Sequence, residues 1–120
     1  MPEQTILYWL PHCTTCQKAD QHLTEIGHAV ALYRDLKTEP LTRAEVEGLA
    51  EIAGGAGELF SRRARKYRAM NLHERELSDD DMIELMTNEY TFIKRPVLVQ
   101  GARAVAGLTA KSYERFFGES

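Results

Sequence analysis

The spacing of apolar residues changes along this chain, and each change marks an element. Ile6-Leu7-Tyr8-Trp9-Leu10 is a continuous apolar run. Continuity rather than alternation predicts a buried strand over residues 5–10, and Pro11 closes it because proline has no N–H to give a ladder. Cys16, Ala19, Leu23 and Ile26 then recur at steps of three and four, the period of one helix face, and predict a helix from about Thr14 to Ile26. Gly27 follows as its C-cap. Ala29 to Tyr33 reads as a second short strand. Strand, helix and strand within about thirty residues make a βαβ unit, whose crossover is right-handed.

The middle of the chain keeps the helical period. Thr42 with Glu45 three residues on forms a capping box, and Val46, Leu49, Ala50 and Ala53 supply the apolar stripe behind it. Gly54-Gly55-Ala56-Gly57 ends that helix. A short helical piece with Leu59 and Phe60 comes next, then a basic run of Arg62, Arg63, Arg65, Lys66 and Arg68. Ser78 opens another helix: Asp79, Asp80 and Asp81 suit its positive end, and Met82, Ile83, Leu85 and Met86 give it apolar contacts. Strand character returns at Val97-Leu98-Val99. Gln100-Gly101 turns the chain, and Arg103 to Ala106 runs back as a hairpin partner. Gly107-Leu108-Thr109 leads into a last helix with Tyr113, Phe116 and Phe117. The order β-α-β, helices, β-β-α is an α/β pattern, with no internal repeat and no linker long enough to separate one domain from another.

Composition narrows the class. A length of 120 residues suggests one domain, large enough to bury roughly two-thirds of its unfolded surface. The net charge of −3 supplies no basic field for nucleic acid. No stretch approaches the roughly 20 apolar residues of a membrane span, and Met1-Pro2-Glu3-Gln4 lacks the basic and then apolar character of a signal peptide. A cytoplasmic monomer without membrane contact is the expectation.

The two cysteines, Cys13 and Cys16, flank Thr14 and Thr15 at the junction of strand and helix. A domain of this size needs no disulfide staple, and in a reducing compartment such a pair cycles or binds metal. A structural zinc takes about four ligands. His12 is adjacent, but His22, His28 and His73 show no ligand spacing, so redox chemistry outweighs metal. Two ordinary buried cysteines falling three apart is the remaining reading, and their place at a helix start argues against it. There the free N–H groups and the positive dipole end favour a thiolate on the first sulfur. The second lies one turn on, within reach of a disulfide. Cys13 is then the nucleophile, and Cys16 resolves the mixed disulfide. Thr14 and Thr15 are candidates to hydrogen-bond the thiolate, and fit equally as helix-start residues. His12 either tunes Cys13 by its charge or is a solvated loop residue.

Pro96 follows Arg95 at the start of a strand, a place where proline is tolerated on ordinary grounds. The alternative is a cis-proline facing the cysteine pair, which leaves the preceding backbone free for an extended thiol substrate. Cis bonds are only about 5–6% of X–Pro bonds, so spacing alone does not decide. Most basic runs are solvated helix faces. The functional reading of this one puts one or two of its arginines on an oxyanion or carboxylate near Cys13, which the planar guanidinium fork suits. Arg95 and Arg103 are further candidates.

With these residues in line, the chain resembles the family of arsenate reductase-like proteins that includes the Spx regulators. The resemblance rests on Leu7-Tyr8, Cys13-Thr14-Thr15-Cys16-Gln17-Lys18-Ala19, Glu39-Pro40-Leu41-Thr42, Leu59-Phe60-Ser61-Arg62-Arg63, Tyr67, Leu72, Ile93-Lys94-Arg95-Pro96-Val97, Arg103 and Gly107. It implies a thioredoxin-like fold with a central mixed sheet and a helical insertion over residues 36–91. It also implies a nucleophile at Cys13 and a cis-proline at Pro96, with Arg95 near the thiol. Glutathione-linked arsenate reductases of this family hold the oxyanion with three arginines. Here Arg95 is present, Ser61 stands where the first would be with Arg63 two residues on, and Ala106 replaces the third. Fewer cations weaken oxyanion binding and raise the thiol pKa, so arsenate reduction ranks last.

The Cys-Thr-x-Cys sequence and Arg63 are closer to the Spx-like branch and its glutathione-associated relatives. Spx-type proteins bind the C-terminal domain of the RNA polymerase α subunit and sense disulfide stress through the cysteine pair. Gly55 is the nearest match to a glycine that contributes to that contact. The expected function is thiol–disulfide oxidoreduction without a bound cofactor, with glutathione, a thioredoxin or a glutaredoxin as reductant. Cys13, Cys16 and Arg95 are the expected catalytic groups, and Arg63, Pro96, Arg103, Thr14 and Thr15 the expected substrate contacts. A redox-switched regulator on RNA polymerase is the alternative.

Overall fold

A computed structural model of the protein describes residues 4–107 and 110–117. Met1–Glu3, the Leu108-Thr109 step into the last helix and the side chain of Tyr113 lie outside the described residues. The elements are β1 (Thr5–Trp9), α1 (Thr14–Glu25), β2 (Leu32–Asp35), α2 (Arg43–Ala53), α3 (Ala56–Leu59), α4 (Arg65–Ala69), α5 (Asp79–Asn88), β3 (Val97–Gln100), β4 (Arg103–Ala106) and α6 (Ala110–Phe117). Short 3-10 turns occupy Leu72–Glu74 and Tyr90–Phe92. The chain forms two compact units, one from the residues up to Glu39 together with those from Arg95 on, the other from Pro40–Lys94.

The first unit is built on a mixed sheet in the order β2-β1-β3-β4. β1 pairs β2 in parallel, from Ile6↔Leu32 to Trp9↔Asp35. It pairs β3 antiparallel, from Thr5↔Gln100 to Tyr8↔Val97, and β3 pairs β4 from Val97↔Ala106 to Gln100↔Arg103. Leu7, Leu98, Ala19, Leu23 and Phe116 form one buried cluster, with Trp9, Val30, Val105 and Phe117 packed on it. The cluster joins alternate positions of the strands to one face of α1, which buries Cys16, Ala19 and Leu23. Ile26 does not continue that face. It is the C-cap, outside helical geometry at φ −92 and ψ 9, and its side chain is 40% exposed.

The second strand also differs from expectation. The ladder runs over Leu32–Asp35 rather than Ala29–Tyr33, although the Ala31 N–H already donates to the Thr5 carbonyl at 2.8 Å. β2 is an edge strand, with Leu32 and Tyr33 among the exposed large apolar residues. Apolar content in this segment therefore did not report burial, and pairing with β1 set its limits. In the hairpin, Gln100 is the last ladder residue and Gly101 takes the left-handed φ of +62 that the turn requires.

The helical unit follows its caps. Thr42 Oγ1 accepts from the Glu45 N–H at 3.2 Å while Glu45 Oε1 accepts from the Thr42 N–H at 2.9 Å. Gly54 ends α2 at φ +103. Ser78 caps α5 in the same way, and Asp81 closes that box at 3.1 Å. α2 packs on α5 through Val46, Leu49, Met82 and Met86, all buried, and Phe60 stacks on Phe92 with centroids 5.4 Å apart. The basic run straddles the turn before α4, a helix that buries no residue. Arg62 lies over the Phe60 ring at 5.7 Å, and Lys66 Nζ reaches Glu89 Oε1 at 2.6 Å.

Candidate active site

Cys13 is the N-cap of α1, in extended geometry at φ −84 and ψ 119. Its N–H donates to the Leu10 carbonyl at 3.0 Å, and its own carbonyl accepts from the Gln17 N–H at 2.9 Å. Its Sγ accepts from the Cys16 N–H at 3.4 Å. An N-cap side chain satisfies a helix N–H that has no partner within the helix; here sulfur takes the place of the usual oxygen. The first turn of α1 holds no acidic residue, whereas that of α5 holds three aspartates. The positive end of α1 is therefore left for the thiol.

Both cysteines are free thiols, and their surroundings push them apart. Burial is the largest influence on Cys13 and opposes ionisation. The hydrogen bonds from the Cys16 thiol and N–H, the charge of Arg95 and the Thr15 N–H together outweigh it, and the thiol lies below its ordinary value. Cys16 is fully buried. Burial first, then its hydrogen bond to the Cys13 sulfur, push its thiol up to about 12. One sulfur is prepared to ionise and its neighbour to hold a proton.

Arg95 reaches this thiol because of the sheet register. Tyr8 pairs with Val97, so the start of β3 lies beside the end of β1, from which the chain turns into Cys13. The Arg95–Pro96 bond is cis. Pro96 is buried and Arg95 half-buried, and the Pro96 carbonyl accepts from the Gly107 N–H at 3.0 Å. The structure thus brings Cys13, Cys16 and Arg95 together within the sheet unit. Thr15 joins them through its backbone N–H, while Thr14 and His12 are exposed.

Arg103 is not at this site, which corrects its assignment as a substrate contact. It pairs with Gln100 at the opposite end of β3. Its Nη1 donates to the Phe116 carbonyl at 2.8 Å, and its guanidinium lies 4.2 Å from the centroid of the Phe116 ring. The β4 residue at the cysteine end is Ala106, opposite Val97. Arg63 is exposed in the helical unit, where its N–H donates to Ser61 Oγ at 3.3 Å. Among the described residues, no three His, Cys, Asp or Glu side chains gather as a metal ion would require, and no helix is long and apolar enough to cross a membrane.

Gln17 was not singled out from the sequence as a site residue. Its Nε2 donates to the Pro11 carbonyl at 2.7 Å. The signal available was its place four residues after Cys13, on the same side of the helix.

The ArsC family profile matches residues 8–116. The chain is 31% identical over 110 residues to protein YusI of Bacillus subtilis, an alignment covering 89% of this chain and 92% of that one. It is 26% identical over 113 residues to the global transcriptional regulator Spx of Lactiplantibacillus plantarum, covering 92% and 84%. The solved arsenate reductase of Vibrio cholerae superposes with a TM-score of 0.76 over 96% of each chain at 22% identity, a likeness of fold, and that fold is thioredoxin-like. With a match that runs from the end of β1 into α6, the chain belongs to the ArsC family.

Proposed function

We propose that this chain is a cytoplasmic thiol–disulfide oxidoreductase that takes its electrons from glutathione, a thioredoxin or a glutaredoxin. The unequal ionisation of Cys13 and Cys16 at the head of α1 carries this reading. The thiolate is the nucleophile in exchange, so the sulfur with the lowered pKa attacks first. Cys13 Sγ bonds to one sulfur of a substrate disulfide, the substrate S–S bond breaks, and the departing thiolate takes a proton. Cys16 then gives up its proton and attacks Cys13 Sγ, which expels the second substrate thiol and closes the Cys13–Cys16 disulfide. Two electrons from the external thiol reopen it. The charge of Arg95 holds the Cys13 thiolate and an anionic portion of the substrate.

The test is turnover of a disulfide substrate with glutathione or with thioredoxin and its reductase. Turnover that disappears in Cys13→Ser is the expected result. In Cys16→Ser a mixed disulfide on Cys13 should accumulate and be visible by mass spectrometry. Absence of turnover with every reductant overturns the reading.

A second reading draws on the similarity to Spx: a regulator that binds the C-terminal domain of the RNA polymerase α subunit in one redox state of the same pair. Gly55, at φ +129 before α3, is the residue to vary for it. Retention of that domain in one redox state, without turnover, decides for the regulator. Arsenate reduction has the least support, because Ala106 supplies no cation at the cysteine end of β4.

A further inference from the structure

We infer that Gln17 is a positioning residue of the cysteine site, whose side-chain amide fixes the turn that aims Cys13 Sγ at the free N–H groups of α1. The inference rests on the thiol chemistry proposed above, and its basis is geometric. Between β1 and α1 the chain has only a few residues in which to reverse from a strand into a helix. Cys13 N–H bonds back to the Leu10 carbonyl at 3.0 Å and closes a turn over Leu10-Pro11-His12-Cys13. Within that turn Pro11 brings no N–H, and His12 is exposed.

The Pro11 carbonyl is held from the helix side. Gln17 Nε2 donates to it at 2.7 Å, while the Gln17 backbone N–H donates to the Cys13 carbonyl at 2.9 Å. One residue therefore grips the turn at two places, two residues before the N-cap and at the N-cap itself.

The geometry it secures is that of the cap itself. Cys13 Sγ meets the Cys16 N–H at 3.4 Å, and an N-cap contact depends on the extended φ and ψ of the cap residue. A change in the plane of the Pro11–His12 peptide rotates Cys13 and lengthens that contact. Gln17 does this from outside the reacting atoms. It is exposed, so its bond is one that water can replace in energy but not in direction.

The test is the thiol pKa of Cys13, read from the pH profile of its alkylation by iodoacetamide with mass-spectrometric assignment, in the full chain and without substrate. Gln17→Met removes the donor at nearly constant length and charge. Gln17→Asn keeps an amide that is too short to reach. Both should raise the Cys13 pKa by about half to one unit, which slows alkylation below that pKa roughly three- to tenfold. Gln21→Met, the same change one turn on at another exposed glutamine, should leave the profile unchanged. Circular dichroism confirms that each variant is folded.

An unchanged profile in Gln17→Met, or an equal shift in Gln21→Met, overturns the inference while the proposed chemistry stands. An ordinary Cys13 pKa in the unsubstituted protein overturns both. A shifted profile in Gln17→Met beside absent turnover overturns only the proposed chemistry.

Discussion

Where β1 gives way to α1, the polar groups are unevenly matched: a thiol below its ordinary pKa, a buried thiol above it and an arginine acting through its charge. At the other end of the same sheet, polar groups meet fixed partners. Gln100 Nε2 donates to Thr5 Oγ1 at 3.0 Å and lies 3.2 Å from His28 Nδ1, and its Oε1 accepts from Arg103 Nη2 at 3.4 Å. Arginine has only donors to offer, so it fixes which way the Gln100 amide points. His28 in turn stacks on Phe117 with centroids 4.1 Å apart. The two arginines show the difference. Arg103 meets the Phe116 carbonyl and Gln100 and holds α6 to the sheet. Arg95 lends its charge to a nucleophile. A matched polar network stabilises the fold, and an incompletely matched one keeps a group reactive.

The comparison breaks most visibly at the matched end. Gln100→Leu strips Thr5, His28 and Arg103 of a shared partner, and Thr5 is buried. It should cost about 1–3 kcal/mol in urea unfolding and leave the Cys13 alkylation profile where it was. A thiol shift in that variant would mean that the two ends are not independent.

Exchanging the arginines one at a time sharpens the contrast. Arg95→Met should raise the Cys13 thiol pKa with little change in unfolding midpoint. Arg103→Met should lose about 1 kcal/mol of stability and leave that pKa unmoved. The reverse pattern would exchange their roles.

The last test is of alkaline stability. The folded pKa of Cys16, about 12, lies above its ordinary 9.0. Its contribution to stability is therefore complete below pH 9.0 and is lost as the pH rises towards about 12. Cys13 has the opposite sign: its contribution is present above the ordinary value and lost as the pH falls through the lowered one. Urea midpoints of the reduced protein, compared with Cys16→Ala from about pH 8 to about pH 11, should converge as the pH rises. Parallel curves would mean that Cys16 is not held protonated by the fold.

What could be read from the chain alone was local. The cysteine pair at the head of a helix, the Thr42–Glu45 box, the start of α5 at Ser78 and the Arg103–Ala106 return strand each depend on residues within a turn or a hairpin of one another, and sequence spacing fixes such neighbours directly. The rest depended on partners far apart in the chain. Register with β1 moved β2 from Ala29–Tyr33 to Leu32–Asp35, and an early helix end took Ile26 out of the core. Thr5 and Gln100 meet across 95 positions and carry no local signature. Of the two arginines that flank β3 and open β4, only Arg95 acts on the thiol, because an antiparallel ladder places Val97 and Gln100 at opposite ends of the sheet. Residue types near a strand say which chemistry is on hand. The register says which of them reaches the sulfur.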